Sequence, residues 1–207
     1  MAIAGAERAE FIQFSDGDVV YLKAGRAQGV AAGQRMLIVS AGQVLSHPQK
    51  KHKVGSLSFR RGWISVLHAD ENSAAARIEK ACGPVRLGDG LVPFETRPTV
   101  EGKDKGFVAY GDTAGLPAGT VIYLENDLNQ VGASNWMLID IGREQGLRVG
   151  QQLTIFKQPA QGHPRRSVGN GVLIDVQAET ATLKILSSSD AVVLGDGVEV
   201  KAAEGSY

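Results

Sequence analysis

Gly25-Arg26-Ala27-Gln28-Gly29-Val30-Ala31-Ala32-Gly33-Gln34 recurs as Gly142-Arg143-Glu144-Gln145-Gly146-Leu147-Arg148-Val149-Gly150-Gln151. Six of the ten positions are identical, at an offset of 117. Each copy runs into an apolar stretch, Met36-Leu37-Ile38-Val39 and Leu153-Thr154-Ile155-Phe156. A second block closes each copy. Val85-Arg86-Leu87-Gly88-Asp89-Gly90-Leu91 is answered by Val192-Val193-Leu194-Gly195-Asp196-Gly197-Val198, at an offset of 107. Between the blocks, His47-Pro48 answers His163-Pro164, and Val54-Gly55 answers Val168-Gly169. Order-preserving similarity of this kind marks an internal repeat. The shrinking offset places the length difference in connecting loops, chiefly around Ser56 to Arg61.

The segments flanking these glycines have strand character. Val19-Val20-Tyr21-Leu22 is short, β-branched and aromatic, and lies between Gly17 and Gly25. Ile64 to His68 and Ala74 to Ile78 flank the polar turn Asp70-Glu71-Asn72-Ser73; Val172 to Val176 and Thr182 to Ile185 flank Ala178-Glu179. These are hairpins with short loops. Gly25, Gly29 and Gly33, with Gly142, Gly146 and Gly150, mark a turn-rich crossing between strands. Gly88-Asp89-Gly90 and Gly195-Asp196-Gly197 mark turns before a closing strand. Neither block is a phosphate loop, since no Gly-Lys-Ser or Gly-Lys-Thr follows.

The fold expected is therefore all-β, two tandem barrel-like modules. The first is expected over 11–95 and the second over 107–203, with a linker at 96–106. Closure into small barrels removes the exposed edges of short strands. Helix is expected only as a short turn at Ala4 to Phe11 and a brief turn at Val85 to Leu87. Val121-Ile122-Tyr123-Leu124 resembles Val19 to Leu22, yet Met137 to Ile141 already stands before the second glycine motif. An inserted hairpin or strand near 111–135 is the reading of that excess.

Composition narrows the function. Lys plus Arg and Asp plus Glu both number 22, so the net charge is zero and no general basic footprint for nucleic acid exists. The 26 glycines suit a chain of many turns. No apolar run is long enough to span a membrane as a helix. No basic-then-apolar leader opens the chain. The single cysteine, Cys82, excludes an internal disulfide, and no catalytic motif surrounds it.

The string of Val-Tyr-Leu, Gly-x-x-Gln-Gly-Val-x-x-Gly-Gln, a strand, a His-Pro hairpin, Val-Gly, a Val-rich hairpin and Leu-Gly-Asp-Gly resembles a bacterial envelope module. It is similar to the β-domain at the C-terminal end of flagellar assembly protein T, a module also found after LysM domains. The resemblance covers Asp18 to Glu95 and Trp136 to Lys201. It implies a non-enzymatic structural or assembly role in the periplasm or at the outer membrane, as part of a longer secreted protein. It brings no catalytic residues, and a protein partner is expected. The chain departs from the pattern in two ways: no LysM-like segment is present, and the second copy holds an extra segment from Gly111 to Asn135.

The candidate binding residues are two basic hairpins and two tryptophans. Lys50, Lys51, His52 and Lys53 follow His47-Pro48, with Arg60 and Arg61 farther along. His163, Arg165 and Arg166 echo them in the second copy. Matched basic hairpins suit an anionic polymer, whether glycan, lipid headgroup or nucleic acid, as the alternative function. The bland reading is a solvated tip whose charges keep an edge soluble. The histidines lack zinc-type spacing, so neither metal nor cofactor is expected. Trp63 and Trp136 are read as half-buried packing residues or as partner anchors.

Overall fold

The structure is a computed structural model that describes residues 1–8, 10–97, 99–110, 116–157 and 164–201. It is all-β and consists of two modules, each with six strands. The first module contains β1 (Ile3–Ala6), β2 (Val19–Leu22), β3 (Arg35–Ser46), β4 (Lys53–Ala69), β5 (Ala74–Ala81) and β6 (Gly90–Pro93). The second contains β7 (Ala118–Leu124), β8 (Trp136–Ile139), β9 (Gln152–Lys157), β10 (Arg166–Val176), β11 (Ala181–Ser188) and β12 (Gly197–Val200).

The first sheet runs β1-β2-β5-β4-β3-β6. Its outer strands meet at an Ala2–Gly90 bridge. There the Ile3 and Leu91 amides donate to the Asp89 and Met1 carbonyls, both at 3.0 Å. The second sheet is a closed barrel with the same cyclic order, β7-β8-β11-β10-β9-β12. Register agrees as well as order. Trp63 faces Lys80 and Ile64 faces Ile78 across a bulge; Asn170 faces Ser187 and Gly171 faces Ile185 across another. The bridge brings the first sheet round into a barrel-like module, and each module has its own core. Ile3, Val20, Met36, Ile38, Ile64 and Ile78 fill the first; Val121, Met137, Leu153, Ile155, Leu173 and Ile185 fill the second.

This equivalence corrects the expected insertion. The strand at Ala118–Leu124 is the counterpart of β1, where a helical turn was expected. Ile3-Ala4-Gly5-Ala6 is strand because its edges pair with β2 and with the turn before β6. The first module thus begins before residue 11. The connection after β7 matches the one after β1: Val131 bridges Val192 as Phe14 bridges Val85. Residues 111–115 of the proposed insertion lie outside the described residues.

The length difference between copies is also placed differently from the expectation. The equivalence at an offset of 107 extends back to Gly62 and Gly169, so Gly55 is not the counterpart of Gly169. The extra residues lengthen strands: β3 has 12 residues against 6 in β9, and β4 has 17 against 11 in β10. They form a long hairpin arm. By compactness the chain divides into Met1–Val44 with Ser56–Arg97, and Leu45–Gly55 with Pro98–Tyr207. The arm's tip thus belongs to the second unit.

The segment expected as a linker is a strap on the second barrel. The Gln152 side chain accepts from the Lys105 amide at 3.0 Å and donates to the Lys103 carbonyl at 2.8 Å. Asn170 donates to Asp104, and Lys201 donates to the Gly106 carbonyl. The Gly106 amide and the Asn170 side chain hold the Asp104 carboxyl below its ordinary pKa.

The repeated glycine motif forms a 3₁₀ turn in each barrel, Arg26–Gln28 and Arg143–Gln145. The Gln28 and Gln145 side chains accept the Gly25 and Gly142 amides, both at 2.8 Å. The Arg26 and Arg143 guanidiniums donate to the Ala69 and Val176 carbonyls at 2.9 and 3.1 Å. Gly25 and Gly142 are required because a Cβ would sit 2.3 Å from the Asp70 carbonyl oxygen and 2.6 Å from the Ala178 one. Asp89 and Asp196 accept the Arg86 and Val193 amides at 2.8 and 2.9 Å. Arg143→Ala should lower stability by about 1–2 kcal/mol, the worth of a charge-assisted bond to a part-buried carbonyl. Urea denaturation checks this, and Arg26→Ala should behave alike.

Candidate functional site

The basic hairpin tip closes the long arm formed by β3 and β4. The His47 amide donates to the His52 carbonyl at 2.9 Å, and the Lys51 amide returns to the His47 carbonyl at 2.9 Å. Lys51 adopts φ 56°, which completes the tight reversal. Pro48 lacks an amide hydrogen, which suits a position inside this turn.

His47 is only 1% exposed. Its Nδ1 accepts the Gln49 and Lys50 amides at 3.1 and 3.0 Å. That leaves the ring hydrogen on Nε2, which lies 2.9 Å from Asp140 Oδ2. His52 stacks against the His47 ring at a centroid distance of 5.4 Å. Lys50 Nζ stands 3.4 Å from the same carboxylate oxygen, and the Gln49 side chain donates to the Gly195 carbonyl at 3.2 Å. The other oxygen of Asp140 accepts the Thr120 amide at 2.5 Å. Burial alone would raise the Asp140 pKa; the bonds from Thr120, His47 and Lys50 outweigh it and hold the carboxyl below 3.8.

Asp140 has no acidic counterpart in the first barrel, where the equivalent residue is Lys23. The acceptor is thus specific to the second copy. The sequence reading takes His47 as a repeat landmark at the head of the basic run and weighs it as a metal ligand, but passes over Asp140. The signal that pointed to it was that Lys-for-Asp contrast at matched repeat positions.

The remaining basic candidates divide in two. Lys51, His52, Lys53 and Arg60 are exposed. Arg61 donates to the Ser40 hydroxyl at 2.6 Å and lies 4.9 Å from the Phe59 ring centroid. In the second copy Arg165 pairs with Glu199 and lies 3.5 Å over the Phe156 ring, while Arg166 pairs with Asp190. His163 lies outside the described residues. Both described arginines of the second hairpin are therefore offset by carboxylates.

Trp136 is half-buried against Tyr123, with ring centroids 5.7 Å apart. Trp63 is half-buried on the outer face of the first barrel, edge-on to Phe94 at 6.2 Å. Among the described residues, no group of three or more His, Cys, Asp or Glu is placed to hold a metal ion. Among the described residues, no buried side-chain nitrogen or oxygen lacks a hydrogen-bond partner. No helix among these residues is long and apolar enough to cross a membrane. Comparison with protein-family models and with curated protein sequences found no match.

Proposed function

We propose that this chain is a non-catalytic scaffold of a bacterial cell-envelope assembly, a tandem pair of barrels that holds a partner protein. The observation that carries the reading is where the repeated polar side chains are used. Arg26, Gln28 and Asp89, with Arg143, Gln145 and Asp196, are all hydrogen-bonded to backbone in turns of their own barrels. The residues that recur are thus spent on architecture. The resemblance to the flagellar assembly module supports the envelope location, periplasmic or outer-membrane-associated.

Fractionation of source cells and blotting for the chain tests the location. The expected result is a periplasmic or outer-membrane signal with a partner retained after mild crosslinking. A cytoplasmic signal would overturn the envelope reading. Binding of an anionic polymer is less favoured, because Arg165 and Arg166 are paired with Glu199 and Asp190.

A further inference from the structure

The repeat carries an internal precedent for what lies on a barrel's outer face. On the second barrel the strap is held by Gln152 of β9, Asn170 of β10, Ser187 of β11 and Lys201, which follows β12. Gln152, Asn170 and Lys201 bind Lys103 to Gly106 directly; Ser187 donates to the Asn170 side-chain oxygen at 2.5 Å. The shared register maps these positions onto Arg35, Trp63, Lys80 and Phe94 of the first barrel.

Those four first-barrel residues form a surface cluster. The Arg35 guanidinium lies 3.9 Å from the Phe94 ring centroid and 5.9 Å from that of Trp63. Lys80 pairs with Asp16 at 2.9 Å, and the exposed Arg60 is three residues before Trp63 on β4. Two amides, a hydroxyl and a lysine have been exchanged for two aromatics and two cations. Half-exposed aromatics beside arginine are the composition of protein interfaces rather than of a solvated sheet. Arg35, Arg60 and Lys80, with Asp16 beside Lys80, favour an acidic ligand.

We propose that this outer face of the first barrel docks an extended acidic peptide of a partner protein, laid across β4, β3 and β6 as Lys103 to Gly106 lies on the second barrel. The inference rests on the interaction-module reading and names the partner's chemistry. Backbone carbonyls of the peptide would accept from Arg35, as the Lys103 carbonyl accepts from Gln152 on the strap. Its carboxylates would pair with Arg60 and Lys80, and its apolar side chains would pack on Trp63 and Phe94.

The test uses the full chain carrying Trp136→Phe, so that Trp63 is the only tryptophan and reports the site. The probe is a capped peptide of the 99–108 sequence with glutamate in place of both lysines. Saturable change in Trp63 emission is expected below about 1 mM. Arg35→Glu should weaken it by at least about tenfold. Arg60→Glu, an exposed change, should also weaken it, with circular dichroism confirming that both variants are folded. No saturation by about 1 mM, or undiminished affinity in both folded variants, would overturn the proposal. Such a failure would leave the envelope location, tested by fractionation, standing.

Discussion

Gly62→Ala should unfold the first barrel at room temperature. Gly62 has φ 147°, a conformation that side chains rarely adopt, and a Cβ there would lie 1.8 Å from the Lys80 carbonyl oxygen. The neighbouring Lys80 carbon and Ala81 Cα lie at 2.9 and 3.1 Å, so the obstruction is backbone and cannot swing aside. Backbone strain and steric overlap together place the loss at about 4 kcal/mol or more, a large share of a small domain's stability. At the equivalent Gly169 the closest approach is 2.7 Å to the Ser187 carbonyl oxygen, and about 2 kcal/mol is expected there. Trp63 and Trp136 are the only tryptophans, one in each barrel, so urea denaturation of single-tryptophan variants separates the two transitions. A Gly62→Ala protein with an unchanged Trp63 transition would contradict the close approach at that bulge.

Asp140→Ala should be the most damaging change of a polar side chain. It strips the acceptor from the His47 ring, the Thr120 amide and Lys50 together. His47 would be left buried with an unmet Nε2–H, at a cost of about 3 kcal/mol. Asp140→Asn keeps one acceptor and should cost less. The pH dependence has a definite sign. Asp140 titrates lower in the folded protein than in the unfolded chain, so its stabilising effect is complete above the ordinary carboxylate pKa and disappears as pH falls through the folded value. The urea midpoints of the parent and Asp140→Asn should therefore differ most near neutral pH and converge in acid, below 3.8. A gap that persists into acid would mean that charge at Asp140 is not what secures the hairpin tip.

The parts of this fold readable in the sequence are those written locally. Gly25 and Gly142 announce their turns because only glycine fits against the facing carbonyls, and Val19 to Leu22 has the composition of a strand. The first strand was hidden because Ile3-Ala4-Gly5-Ala6 has weak β preference; its pairing comes from distant residues at the turn before β6. Once it was missed, its counterpart Ala118–Leu124 looked like an addition. The arm's length was obscured by two glycines, Gly55 and Gly62, either of which matches Gly169 by eye. Only the bulge register selects Gly62. Phe94, just after the four-residue β6, stands on an outer face under Arg35; so short a strand carries too little alternation to place it. The partnership of His47 with Asp140 spans 93 positions of sequence and has no local signature.

That long separation has a consequence for synthesis. The hairpin tip leaves the ribosome 93 residues before the carboxylate that receives it. At roughly 5–20 residues per second, the arm waits about 5–19 s for Asp140 to be made. During that interval the first barrel can complete its own strands through β6, while His47 and Leu45 remain in water. The nascent chain therefore presents its arm to other molecules before its own second barrel can claim it, and a chaperone or a neighbouring nascent copy competes for the tip only in that window.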